Sequence, residues 1–282
     1  MKRRTIFQKA PGFLGALCLG GCKGERDLKR WRGVCMGIKV SVTYRDEVAL
    51  EPVIELAREV EAALTTWEGD SPLNRLNKFG YLEKPSEHLL RCFEKSRELF
   101  QASEGLFDPT IRAYLEGLKT WIKEGQSFTE QEADELRKLV DFERVDFSKK
   151  RVSLPKGMAL DFNALAQGYL TDLIAEVLEP HDALVNFGEF RVSGNQSWPV
   201  EVGGKTIHLS DALAVSSGGG HRLSATSGVN HLIDPFSGKS PEAHKVFAIE
   251  ADEAWLADGL ATLTALGGGI PKVYQQRARR VL

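Results

Sequence analysis

The chain has 282 residues, 42% hydrophobic and 27% charged, the composition of a folded globular protein with a sizeable core. Its formal net charge of −2 provides no broad basic field, which sets nucleic acid aside as a partner. The length admits one large domain or two small ones.

The first residues read as a targeting segment. "MKRRTIFQK" carries Lys2, Arg3, Arg4 and Lys9 and is followed by "APGFLGALCLGGC", a short apolar run that ends in small residues. The run falls short of the ~20 apolar residues that span a bilayer, but it suits the core of a secretory signal. Leu19-Gly20-Gly21-Cys22 has the form of a bacterial lipobox, whose cysteine is lipidated and becomes the mature N-terminus. The paired arginines also fit twin-arginine export, so the route is open. The expected organisation is a signal peptide over 1–21, a polar linker over 22–32 and one domain over 33–282. The expected location is a membrane-anchored lipoprotein facing the periplasm. Cys18 leaves with the signal, and Cys35 and Cys92 remain. In an oxidising compartment they could pair, but spacing alone does not say whether they meet. With no CxxC pair and no Cys/His cluster, a zinc site is not expected.

Along the chain, "VCMGIKVSVTY" alternates like one strand. "EVALEPVIELAREVEAALTTW" carries a helical stripe at Val53, Ile54, Ala57, Val60 and Leu64. A helix capped by Ser86 and stopped by Gly105 follows, and Thr129 with Glu132 has capping-box spacing. Phe142 to Ala159 holds short strand-like runs. "ALDFNALAQGYLTDLIAEVLEP" begins like a strand and ends like a helix, with Asp161, Asn163, Gln167 and Gly168 among small residues at the junction. Such a junction suits an anion at the helix N-terminus, or Asp161 or Asn163 simply caps the helix.

Beyond Pro180 come short strands broken by glycine, in "DALVNFGEFRVSG", "WPVEVGG", "KTIHLS", "ALAVSSGGGHR" and "HLIDPFSG". The last helix lies in "DEAWLADGLATLTALGGG", capped by Asp252 and ended by three glycines. The expected fold is α+β, with mixed or mainly antiparallel sheets flanked by helices. On this last helix Asp258 and Thr262 are four apart and share a face, a hard-oxygen pair suited to a cation such as Mg2+, or else an acid favoured by the helix dipole. "EGLFDPTI" is a Gly-Asp-Pro turn or a ligand loop. His231, three residues before Asp234-Pro235, is a structural histidine or a proton acceptor. The chain has no Walker loop and no GxGxxG motif after a strand, so neither a P-loop kinase nor a Rossmann dehydrogenase is expected.

Taken in order, "MGIKVSVTY", "LTTWEGDSPLNRLN", "GLFDPTI", "LDFNALAQGYLTD", "LVNFGEFRVSG", "AVSSGGGHR", "HLIDPFSGKSP" and "ADGLATLTALGG" resemble the ApbE family of flavin transferases (FAD:protein FMN transferases). The likeness runs from Met36 to Gly268. It implies Mg2+-dependent transfer of FMN from FAD to a threonine hydroxyl of an acceptor protein, with AMP leaving. By this resemblance Asp258, Thr262 and the carbonyl of Ala164 are the Mg2+ ligands. Met36, Trp67 and Leu106, Phe107 and Asp108 line the FAD site, Asp161 and Gln167 contact the nucleotide, and Leu232 lies beside the flavin. His231 is the expected base. The implied partners are FAD and FMN-binding acceptor domains of membrane-associated or periplasmic redox proteins. The chain departs from the family pattern at Ile38, often Thr, and at Gln167, where Lys is frequent. "NFGEF" lacks the second glycine of Asn-x-Gly-Gly, Ser216 replaces Thr, and Gly218-Gly219-Gly220 suggests a trimmed sheet edge. Two other readings use the same pocket: an FAD pyrophosphatase releasing FMN and AMP, and a non-catalytic FAD-binding lipoprotein.

Overall fold

The computed structural model describes residues 28–66, 69–125, 129–217, 223, 229–242 and 245–282. The signal and lipobox, Trp67 and the Gly218–Gly220 run lie outside the described residues.

The first correction is at the start. Strands β1 (Lys29–Cys35) and β2 (Ile38–Tyr44) form an antiparallel hairpin where one strand was expected. Met36 (φ 50°) and Gly37 (φ 76°) both take left-handed backbone, the conformation of a tight two-residue hairpin turn. Met36 hides the turn in the sequence because it continues the apolar alternation. Strand β1 begins at Lys29, inside the stretch read as linker.

Helix α1 (Glu51–Leu64) buries Val53, Ala57, Val60, Ala63 and Leu64, the stripe its periodicity predicts apart from the half-buried Ile54. Helix α2 (Pro72–Phe79) is bounded by a Ser71 side-chain cap and by Gly80 at φ 75°. It leads into β3 (Tyr81–Glu83) and α3 (Glu87–Ala102), whose Ser86 cap accepts from the Leu89 N–H at 3.3 Å. Helices α4 (Arg112–Glu124) and α5 (Glu130–Arg137) follow, the latter with the predicted Thr129–Glu132 capping box. Strands β4 (Asp146–Phe147) and β5 (Arg151–Ser153) join β3 in a small sheet of order β3-β5-β4.

After α6 (Ala166–Leu178) come β6 (Ala183–Asn186), β7 (Phe190–Ser193), β8 (Trp198–Val202), β9 (Lys205–Leu209), β10 (Ala212–Ser217) and β11 (Val246–Ala251). Helix α7 (Ala254–Ala265) and β12 (Ala278–Arg280) complete the fold. The main sheet has the order β1-β2-β6-β7-β10-β11-β12, and every strand pair among the described residues is antiparallel, which narrows the expected mixed sheet. "HLIDPFSG" forms a turn rather than a strand.

Alternation along the sheet separates two cores. Val185, Ala214 and Ile249 face α6 and α7 in the larger one, while Leu184, Leu213 and Ala248 face Trp198, Val200 and Leu209 of the β8–β9 hairpin. Cys35 and Cys92 are buried in the larger core as free thiols. Burial pushes the Cys35 thiol up to about 12.

Candidate active site

Strand register shows where the loops converge. Asn186 at the end of β6 pairs with Ser41, so the β6–β7 turn leaves the sheet at the same end as the Met36-Gly37 turn. Phe190 pairs with Leu213, which carries Val215 and Ser216 past the same edge. The first turn of α6 crosses this end, where Gln167 packs on Gly188: a Cβ there would lie 2.8 Å from Gln167 Cδ, and Gly188 sits at φ 110°.

Asp258 and Thr262 lie one turn apart on α7, both 8% exposed. Two independent contacts fix this helix. Its N-terminus is capped from α6: Asp172 accepts from the N–H groups of Ala254 at 2.7 Å and Trp255 at 2.9 Å. The expected Asp252 cap is therefore corrected. Glu253 is the N-cap residue and makes no side-chain cap bond, and Asp252 instead pairs with Arg277 at 2.7 Å. The second contact is a backbone crossing at Gly168, where a Cβ would lie 2.6 Å from the Ala254 carbonyl carbon and 2.7 Å from Trp255 Cα. At its C-terminus α7 ends as predicted, in the glycine run, with the Gly268 N–H donating to Leu263 O at 3.0 Å and Gly267 at φ 96°.

The Gly168 N–H lies in the first turn of α6, where position denies it an in-helix acceptor. It donates to Asp258 Oδ2 at 3.3 Å. Close by, Glu189 is 8% exposed; its Oε2 accepts from the Val215 N–H at 3.2 Å, and its carbonyl accepts from Thr171 Oγ1 at 3.4 Å. Burial pushes Asp258 up to about 7. Burial, then the charge of Asp258, raises Glu189 well above the carboxylate range. Neither acid forms an ion pair among the described residues. Also among the described residues, no three acid, histidine or cysteine side chains gather as a metal cage. A cation here would draw on two carboxylates, the Thr262 hydroxyl and backbone carbonyls, donors of the type Mg2+ takes. The uncompensated buried charge fits such an ion.

The remaining candidates divide. The residues before α6 form a loop and not the expected strand, and α6 starts after Leu165 without a side-chain cap. Asp161 therefore caps no helix. Its N–H donates to Pro109 O at 3.1 Å, its Oδ1 accepts from the Asn163 N–H at 3.2 Å, and Arg112 lies 3.7 Å from its Oδ2. Ala164 is half-buried just before the helix. Asp108 is buried with its carboxylate occupied: Thr110 donates through N–H at 2.7 Å and Oγ1 at 2.5 Å, and the Phe142 N–H donates at 3.1 Å. It braces the loop from within. Leu106 lines a cavity of about 300 Å³ with Leu263 and Gly268, at the C-terminal end of α7, and Phe107 is buried in the large core. Met36 is half-buried and donates its N–H to Glu61 at 2.5 Å.

His231 and Leu232 sit on a loop that is held on both sides. Asn230, fully buried, accepts from the Leu232 N–H at 2.8 Å and donates to Pro241 O at 3.2 Å. Further along, Tyr114 donates to Gly238 O at 3.2 Å. Leu232 is buried and His231 half-buried. Trp67 lies outside the described residues. Sequence reasoning missed Asp172, Arg191 and Glu189 as structural partners of the site. Their only signal is an ionisable residue set within apolar runs, "YLTDLIA" and "NFGEFRV".

Comparison with known proteins places this geometry. The ApbE family model matches residues 36–278. The chain is 24% identical to the FAD:protein FMN transferase of Haemophilus influenzae over 286 residues, covering 88% of this chain and 83% of that protein. It is 27% identical to the protein of the same name from Treponema pallidum over 316 residues, covering 93% and 86%. The fold is similar to the apo crystal structure of Pseudomonas stutzeri flavinyl transferase ApbE, with a TM-score of 0.72 at 21% identity over 86% of each chain. It is also similar to the ApbE protein of Thermotoga maritima, with a TM-score of 0.74 at 22% identity over 86% of this chain and 88% of that one. The fold is thus that of the flavin transferases. The chain belongs to the ApbE family.

Proposed function

We propose that the protein transfers FMN from FAD to a threonine hydroxyl of an acceptor protein and releases AMP, with Mg2+ held by Asp258, Thr262 and the Ala164 carbonyl. The observation that carries this reading is the Asp258–Thr262 pair, buried at the N-terminus of α6 with no cationic partner among the described residues, in a chain of this family. In the transfer, the threonine oxygen bonds to the FMN phosphorus and the bond from that phosphorus to the pyrophosphate bridging oxygen breaks. AMP carries that oxygen away. When bound, the cation supplies neutralising charge for the phosphate oxygens.

The chain's own residues bind and orient. Met36, Trp67, Leu106, Phe107 and Leu232 supply apolar surface for FAD, while Asp161 and Gln167 are its polar contacts. Asp108 keeps its loop in shape. His231 takes the threonine proton. The protein is exported and anchored through lipid on Cys22, and its acceptors are FMN-binding domains of membrane-associated or periplasmic redox proteins.

The test is intact-mass spectrometry of such an acceptor domain after incubation with the protein, FAD and Mg2+. The expected gain is one FMN, lost without Mg2+ and in Asp258→Ala, and reduced about 100-fold or more in His231→Ala. Release of FMN and AMP with no gain on the acceptor would make the protein a pyrophosphatase. Full activity in His231→Ala would remove the histidine from its role.

A further inference from the structure

Of the four buried acids among the described residues, two are compensated. Asp172 has Arg191 at 2.7 Å and two helix N–H groups, and Asp108 has three hydrogen bonds. Glu189 is as buried as Asp108, yet among the described residues its carboxylate receives one hydrogen bond, from Val215 to Oε2, and no cation. Among the described residues its Oε1 accepts none, and the charge that acts on it is that of Asp258, of the same sign. A carboxylate held nine-tenths out of water beside a second one is unfavourable unless a positive ion offsets it.

The backbone makes this placement firm. Thr171 Oγ1 binds both Gln167 O at 2.8 Å and Glu189 O at 3.4 Å, tying the β6–β7 turn to α6. Gln167 covers Gly188 from the same helix, and the next residue, Gly168, holds Asp258. Both carboxylates therefore flank one turn of α6, and among the described residues neither meets a cation. Glu189 is also the residue at which "NFGEF" departs from Asn-x-Gly-Gly, so a side chain enters this space where the family pattern places a hydrogen.

We infer that Glu189 is a further carboxylate ligand of the cation held at Asp258 and Thr262, completing charge neutrality with a divalent ion. This rests on the cation reading above. It makes the site of this chain bind divalent ions more tightly than Asp258 alone would, because affinity at oxygen sites rises with ligand charge.

The test is titration calorimetry of Mn2+ and Mg2+ into the protein without FAD, for wild type, Glu189→Gln and Asp258→Ala, with thermal melts of each. Gln is nearly isosteric and still accepts from the Val215 N–H, so the fold is retained. The expected result is a dissociation constant at least about 10-fold weaker in Glu189→Gln and no binding in Asp258→Ala. The Glu189→Gln apo protein should also melt at or above the wild-type temperature, with a smaller rise on adding Mn2+. Unchanged or tighter binding in Glu189→Gln, with binding lost in Asp258→Ala, overturns the role of Glu189 and leaves the cation site standing. Absence of binding in wild type overturns both. Should Glu189→Gln melt well below wild type, Glu189→Gly serves as the second variant under the same criterion.

Discussion

An ionisable side chain taken out of water keeps its proton or finds a partner, and this fold shows both outcomes. Asp108 and Asp172 have found partners, while burial pushes Asp258 and Glu189 towards keeping their protons. Cys35 and Cys92 simply stay neutral: burial pushes Cys35 up to about 12 and Cys92 higher still. At pH 8 a thiol with such a value is about one part in ten thousand thiolate, and only the thiolate attacks a disulfide reagent. In a soluble form starting at Lys23, the folded protein should therefore fail to react with Ellman's reagent over minutes, while the denatured protein releases two equivalents. Rapid stoichiometric labelling of the native form would contradict this burial. Such outcomes are hard to read from sequence. Asp258 was legible because a helical repeat places it with Thr262, whereas Glu189 acquires meaning only when β6, β10 and α6 come together around it.

At the scale of elements, the crossing of α6 and α7 positions the site. Gly168 is there for the neighbouring backbone: the atoms a Cβ would meet are Ala254 and Trp255 main chain, which cannot rotate away. Gly168→Ala should destabilise the fold by about 1–3 kcal/mol and displace Asp258. A lower urea midpoint with unchanged m-value, together with weakened transfer, is expected; wild-type stability would show that the helices separate freely. Asp172 joins the same two helices, and burial raises its carboxyl to about 6 from 3.8 in spite of Arg191 and two N–H donors. The folded chain then holds a proton that the unfolded chain has lost, between about pH 4 and 6, so this residue's contribution to stability falls as pH rises through that window. The stability of wild type relative to Asp172→Asn should drop by about 2–3 kcal/mol from pH 4 to 7. A difference independent of pH, measured by urea unfolding, would place the carboxyl at its ordinary value. Local signals sufficed for α1, α3, α5 and the C-terminus of α7, whose stripes, caps and glycines act within a turn or two. They failed where partners are distant: the cap of α7 lies 82 residues upstream, and the strand expected before α6 is a loop because its amide binds Pro109 rather than a strand.

For the whole molecule, the sheet has two distinct ends. The Met36-Gly37 turn, the β6–β7 turn and the start of α6 gather at one end. Lys29, where β1 begins, lies seven residues along an edge strand at the other. The family and the α+β class were legible because eight short motifs keep their order over the chain; the polarity of the sheet was not, since it depends on register. That polarity matters for the lipid anchoring proposed above at Cys22. Five residues lie between Cys22 and Leu28, so the two are at most about 20 Å apart. Under that proposal the Lys29 end of the sheet would be held close to the bilayer, and the candidate site would open from the opposite end. Anchoring would then govern which acceptors come within reach and leave the chemistry alone. Cys22→Ala should move the protein from the membrane fraction to the soluble fraction of the cell. Its rate of FMN transfer to a soluble acceptor domain should stay within about twofold of wild type, because no interaction of the site depends on the tether. Retention of Cys22→Ala in the membrane would remove the lipid anchor, and a large loss of activity on a soluble acceptor would mean that the anchored end and the site are coupled.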